Sequence, residues 1–142
     1  MMSTLVIHGV PIECINQAAI TYFVPAKVIL SILLTEAGKV GKVNSNKNGT
    51  YDIGPMQINS TWLPILSKYG LTADQVQYNP CINVMVGTWI LSEKIANLAM
   101  SASNYWQGVA NYHSLTPALN QNYQNQIRSN FTLINEALNS NG

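Results

Sequence analysis

The stretch that most constrains this chain runs from Val28 to Trp62, VILSILLTEAGKVGKVNSNKNGTYDIGPMQINSTW. It begins as a helical run with Val28, Ile29, Ile32, Leu33 and Leu34 on its sides. A helix so oily must be buried, so other elements have to pack around it. The run ends on a single carboxylic acid, Glu36, with Gly38 placed as a left-handed C-cap. Residues 38–50 then read as a loop, because Asn44-Ser45-Asn46-Lys47-Asn48-Gly49 is dense in turn formers. Tyr51 to Ile58 reads as a short extended piece, and Gly54 with Pro55 argues against a regular central strand. Asn59 or Ser60 caps a further helix from about Thr61 to Lys68. A lone acid at the end of a buried helix, facing a segment rich in amides, points to acid/base chemistry on a neutral, hydroxyl-rich substrate.

The flanking sequence supplies the packing partners. Ile12, Ile15, Ala18, Ala19 and Tyr22 share one helical face, and Pro25 suits the first turn of the central helix. Thr72-Ala73-Asp74-Gln75 fits a capping box for a short helix. Asn79-Pro80 opens the longest apolar helix, to about Met100, and residues 103–111 form another. Thr116-Pro117 starts the last helix, which carries Leu119, Tyr123, Ile127, Phe131, Ile134 and Leu138. With no repeat or linker, residues 1–142 are expected to form one domain, with 1–11 as an extended N-terminal tail. The expected class is all-α, a helical bundle around a buried central helix, with at most a small β-hairpin at about 43–58.

Charge narrows the partners. Only 9% of residues are charged and the formal net charge is +1, without a Lys/Arg cluster, so nucleic acid and anionic membrane are poor partners. The longest apolar run falls far short of the roughly 20 residues of a membrane span. The opening MMSTLVIHGV lacks the cationic start and long apolar core of a signal peptide. The chain is therefore either cytosolic or begins near the mature end of an exported protein. Cys14 and Cys81 have no CxxC or His neighbour, which disfavours a metal. Paired, they imply an oxidising compartment; the alternative is two buried free thiols. No phosphate-binding Gly loop or metal constellation is present, so no cofactor is expected.

Two acids stand out. Glu36 lies at the negative end of a helix dipole and on an apolar helix, and both effects favour its protonated form. Asp52 lies on the segment that would face Glu36 across the loop, unless it only caps the turn beside Gly54. Two facing carboxylates in unlike environments are the template of glycoside hydrolysis. His113 can assist, whereas His8 sits in the terminal segment.

Glu36 followed by Gly54-Pro55-Met56-Gln57-Ile58 resembles the Glu…Gly-Leu-Met-Gln-Ile signature of lysozyme-like lytic transglycosylases. Ala110-Asn111-Tyr112-His113-Ser114 stands where that family has its Tyr-Asn motif, and Tyr123 matches its C-terminal tyrosine. The string YDIGPMQINSTWLPILSKYG, with two cysteines and Tyr-His-Ser, looks most like the small, invasion-associated transglycosylases of secretion and conjugation machines. The resemblance covers about residues 12–131. The segment from Asn44 to Trp62 also resembles the active-site segment of animal-type lysozymes.

The resemblance implies a lysozyme-like α+β fold and a monomer that cleaves peptidoglycan glycan strands in the periplasm or outside the cell. Glu36 would be the catalytic acid, with Gly54, Met56, Gln57, Ile58, Tyr112, His113 and Tyr123 binding sugar. The Tyr112 hydroxyl is expected to steady Glu36, and Met56 to line the groove. Components of type III or type IV secretion or pilus machines are implied as partners. Lysozyme-like chemistry would add Asp52 as a second carboxylate, giving a hydrolytic muramidase. A non-catalytic glycan-binding module on the same fold is a third reading. It is kept open by Ala37, Pro55 and His113, where the family usually has Ser, Leu and Asn.

Overall fold

The computed structural model describes residues 5–96 and 104–140. Met100 and Ser103, expected at a helix end and a helix start, lie outside them. The chain opens with strands β1 (Val6–Ile7) and β2 (Val10–Pro11), then helices α1 (Ile12–Tyr22) and α2 (Ala26–Glu36). Three short strands follow, β3 (Val43–Ser45), β4 (Tyr51–Ile53) and β5 (Ile58–Asn59). A 3-10 turn at Ser60–Trp62 leads into α3 (Leu63–Ser67), α4 (Ala73–Tyr78), α5 (Pro80–Ala96), α6 (Tyr105–Ala110) and α7 (Pro117–Ser140). None of the helices among the described residues is long and apolar enough to cross a membrane.

The α2 helix is the axis of the fold. Val28, Ile29, Ile32 and Leu33 are buried, and each fully buried aliphatic side chain contributes about 2 kcal/mol. Leu34, placed on the same apolar helix by sequence, faces outward and is 40% exposed. Helices α1 and α5 pack against each other, and α7 packs against α2. The Cys14–Cys81 disulfide joins the first turns of α1 and α5 across a sequence separation of 67, with Cα atoms 5.0 Å apart. Closing a loop of that length constrains the unfolded chain by roughly 4 kcal/mol.

Four local expectations are corrected. Residues 6–11 are not a free tail: β1 and β2 pair antiparallel, and a Cβ on Gly9 would press on the side chain of Val40. The left-handed residue that ends α2 is Ala37 (φ 55°), not Gly38. Gly38 is needed for a different reason: a Cβ there would collide with the carbonyl oxygen of Gly54. In place of one hairpin, β3, β4 and β5 form an antiparallel three-stranded sheet with Asn44 opposite Asp52 and Asp52 opposite Asn59. In α7 the buried face is Asn120, Tyr123 and Ile127, while Leu119 and Leu138 are more than half exposed. The capping box forms as expected, with Gln75 N donating to Thr72 Oγ1 and Thr72 N donating to Gln75 Oε1.

Two buried amides tie these pieces together. Asn83, fully buried on α5, accepts from Met56 N and donates to the carbonyls of Ile53 and Val76, each at 3.0 Å. It pins the turn between β4 and β5 onto the helical body. Gly54 in that turn has φ 70°, and a side chain on it would strike the Asn83 amide. Asn120 does the same for the α6–α7 connection, donating to the Asn111 side chain at 2.8 Å and to the Ser114 carbonyl at 3.0 Å.

Candidate active site

A cleft of about 310 Å³ opens between the small sheet and the helices. The sheet side contributes Asn46, Asn48, Thr50, Asp52, Gln57 and Asn59. The helical side contributes Glu36, Tyr112 and His113, with Trp62, Ile58 and Ile90 completing the lining.

Glu36 reaches the cleft because α2 ends there. The left-handed Ala37 turns the chain away, and the glycine contact between residues 38 and 54 brings the helix end against the β4–β5 turn. A second non-glycine residue, Gln57 (φ 51°), is left-handed in that turn. Each such residue costs on the order of 1 kcal/mol, and the two bracket the acid. Gln57 is held in place: its amide donates to the Gly54 carbonyl at 3.0 Å and accepts from Asn44 at 2.9 Å.

Burial pushes the Glu36 carboxyl up from its ordinary value of 4.5 to about 7. The Tyr123 hydroxyl, which donates to Glu36 Oε2 at 2.8 Å, opposes that rise, and the charge of Asp52 adds to it. The result is a carboxylic acid that still carries its proton near neutrality and can give it up there. Asp52 stands across the cleft on β4, where its Oδ1 accepts from Asn59 Nδ2 at 3.0 Å. It is a strand residue and not the cap of a turn. Asn59 also accepts from Thr61 N and donates to Thr50, so the residue that starts the 3-10 turn orients the second carboxylate as well.

The expected site residues separate into two groups. Glu36, Asp52, Gln57, Ile58, Tyr112 and His113 meet at the cleft. Met56, expected to line it, is fully buried, with its side chain packed on Gly87 of α5. Gly54 serves the turn from beneath. Tyr123 is 4% exposed and touches the site only through Glu36 and His113. The tyrosine that steadies Glu36 is thus Tyr123, not Tyr112. Tyr112 Oη donates instead to the Met56 carbonyl at 2.6 Å, locking the β4–β5 turn to the segment that follows α6. Burial and the nearby charges of Glu36 and Asp52 hold the Tyr112 phenol well above its ordinary range, so it stays a donor.

Sequence reading passed over Asn48, Thr50 and Asn59 as cleft-lining groups, because they read first as turn formers or a helix cap. Here they do both: Asn48 Oδ1 accepts from Thr50 N at 3.0 Å, and both residues line the cleft. At the far end Trp62 stands edge to face with Trp89, centroids 5.7 Å apart, and Lys94 lies 6.0 Å above its ring. Among the described residues no group of three or more His, Cys, Asp or Glu side chains could hold a metal ion. Such a cleft suits an uncharged, hydroxyl- and amide-bearing chain, with one proton donor at its centre.

Residues 13–134 match the family model described as the transglycosylase SLT domain. The invasion protein IagB of Salmonella typhi is 30% identical over 129 residues, covering 87% of this chain and 78% of its own. A peptidoglycan-binding-like protein of Escherichia coli O157:H7 is 30% identical over 135 residues, with the same coverage of 87% and 78%. Protein IpgF of Shigella flexneri is 29% identical over 105 residues, covering 73% of this chain and 66% of its own.

Proposed function

The chain belongs to the transglycosylase SLT domain family and is a peptidoglycan lytic transglycosylase, and on that premise we propose which bond it breaks and how. The bond is the β-1,4 link between N-acetylmuramic acid and N-acetylglucosamine. Protonated Glu36 gives its proton to the glycosidic oxygen as the bond to the muramoyl C1 breaks. The substrate's own N-acetyl oxygen stabilises the cation at C1. Glu36, now a carboxylate, takes the proton of the muramoyl 6-hydroxyl as that oxygen closes on C1. The products are a free 4-hydroxyl and a 1,6-anhydro ring; no water is consumed and Glu36 regains its proton.

The observation that carries this reading is that one of the two acids lining the cleft, Glu36, has its pKa raised to about 7 and is bonded on one oxygen by Tyr123. An acid that must donate and then accept one proton works best with a pKa near the working pH. The amides of Gln57, Asn46, Asn48 and Asn59 would bond sugar hydroxyl and N-acetyl groups, and Trp62 would offer its face or edge to a ring.

A second reading draws on Asp52, which shares the cleft with Glu36. If its carboxylate met the C1 cation, water would complete a hydrolysis, as in a muramidase. Mass spectrometry of digested sacculi separates the two. Anhydromuropeptides as the main product support the transglycosylase; muropeptides with reducing ends as the main product would overturn it.

We place the activity in the periplasm or outside the cell, because peptidoglycan lies there and the chain carries a disulfide. The likeness to a protein named for invasion supports a further reading. The enzyme would work as a single-domain monomer, opening the wall locally for a secretion, conjugation or pilus apparatus.

A further inference from the structure

His113 is a departure from the Asn usual at its position, and its ring has an unusual seat. It lies flat on Tyr123, with centroids 4.6 Å apart and planes 5° from parallel. Tyr123 in turn holds Glu36 Oε2 at 2.8 Å. The three residues come from three segments: Glu36 ends α2, His113 follows α6, and Tyr123 stands on α7. Nothing covalent fixes the tyrosine ring relative to the carboxyl. One face of that ring is covered by His113, which also lines the cleft. We propose that His113 is a positioning residue: it clamps the Tyr123 ring so that its hydroxyl stays on the catalytic carboxyl, and it acts on the reaction through that hydrogen bond. This rests on Glu36 being the proton donor.

The chemistry of the stack fits that role. Offset parallel aromatic rings attract, and a buried tyrosine keeps a fixed hydroxyl direction only while its ring is held. Burial lowers the His113 pKa from 6.5, with Asp52 acting the other way. The titratable groups around the stack are Glu36, Asp52, Tyr112 and Tyr123, and both tyrosines are held well above their ordinary range. Glu36 itself titrates at about 7. The Tyr123 hydrogen bond lowers the Glu36 pKa. Loosening the bond must therefore raise that pKa and move the alkaline fall of activity to higher pH.

The test compares His113→Phe, His113→Ala, Tyr123→Phe and the double variant His113→Ala/Tyr123→Phe on sacculi, with kcat and KM measured across pH. His113→Ala is expected to lose about tenfold in kcat with little change in KM, the loss of roughly one hydrogen bond to an ionisable group. Its alkaline limb should move upward, in the same direction as in Tyr123→Phe. His113→Phe, which keeps the flat ring, should retain the wild-type limb and most of kcat. In the Tyr123→Phe background the His113→Ala change should add nothing, because its route to Glu36 is already cut. Additive losses, a limb moving downward, or a His113→Phe variant as impaired as His113→Ala would each overturn the assignment. These outcomes leave the wild-type product untouched, so they are distinct from failure of the Glu36 mechanism, which the products and Glu36→Gln report.

Discussion

The two walls of the cleft are built on opposite principles. The sheet wall presents Asn46, Asn48, Thr50, Gln57 and Asn59, partly solvated groups that bond one another and leave capacity for a ligand. The helical wall presents one acid surrounded by Tyr112, Tyr123 and His113 and backed by the core. The first wall can hold a sugar but cannot shift a pKa far, because water screens it. The second can shift a pKa but offers few groups to hold a sugar. On the proposed mechanism, binding and proton transfer fall to different surfaces, and Asp52 is the carboxylate among the cleft residues on the sheet side. If the division is real, changes on the helical wall should strike kcat and its pH profile, and changes on the sheet wall should strike KM.

Glu36→Gln is the largest test. Loss of the Glu36 proton should remove turnover by at least the ~10²–10⁴-fold of general acid/base catalysis, with binding to sacculi unchanged. In the wild type, kcat/KM should hold below neutrality and fall as pH rises through about 7, as Glu36 loses its proton. The same shift has a cost in stability. Because the folded pKa lies above the ordinary 4.5, the folded state holds this proton more tightly than the unfolded chain. The stabilisation is complete below that ordinary value and disappears as pH rises through the folded one. Above it the buried carboxylate costs about 3 kcal/mol, so Glu36→Gln should melt several degrees higher than wild type at pH 8 and show no gain at pH 4. A melting curve at each pH checks this, and equal melting at both would refute the buried acid.

The helical wall was the more legible of the two in sequence, and the reason is periodicity. An apolar face with an acid at its end is written in the spacing of Val28, Ile29, Ile32, Leu33 and Glu36, and the α2 boundaries follow from it. Its tertiary partner was not written there. Tyr112 and Tyr123 both lie far along the chain, and local pattern cannot tell which hydroxyl meets Glu36; the α2–α7 packing decides it in favour of Tyr123. Met56 was misplaced for a related reason. Its neighbours Gln57 and Ile58 reach the cleft, but the turn at Gly54–Gln57 rotates Met56 into the core against Gly87. In a left-handed turn, adjacency in sequence does not carry a shared direction. Asn83 was hidden altogether, since an amide within an apolar helix gives no local signal of the distant carbonyls it will satisfy.

Asn83 gives the next largest effect, and it acts on both walls at once. Asn83→Ala removes three hydrogen bonds at a fully buried site, those to Met56 N and to the carbonyls of Ile53 and Val76. A loss of about 3 kcal/mol in unfolding free energy is expected, read by urea denaturation. KM should rise as well, because the Gly54–Gln57 turn loses its anchor. An unchanged KM would mean that the Tyr112 bond to the Met56 carbonyl suffices to hold the sheet wall. Tyr123→Phe comes below this. It keeps the ring in its stack, removes only the hydroxyl from Glu36, and should cost about tenfold in kcat at constant KM. A KM effect larger than the kcat effect would break the division between the walls.

Asp52→Asn carries the smallest expected effect and the sharpest consequence. The amide is nearly the size of the carboxyl and still accepts from Asn59, so the β4–β5 pairing should survive. Removing the charge relieves the repulsion that helps to raise the Glu36 pKa, so the alkaline limb should move to lower pH. If the substrate's own N-acetyl group meets the cation at C1, kcat at pH 5 should fall by no more than a few-fold, and the anhydro products should remain. If Asp52 meets that cation, the loss should approach that of Glu36→Gln, because a missing nucleophile is as damaging as a missing acid. The pH matters to the reading. At pH 8 both mechanisms lose activity through Glu36, and only below neutrality does the variant report on Asp52 alone. An acid-side loss approaching that of Glu36→Gln would move Asp52 from the binding wall into the chemistry, and would replace a cleft with one acting carboxylate by one with two.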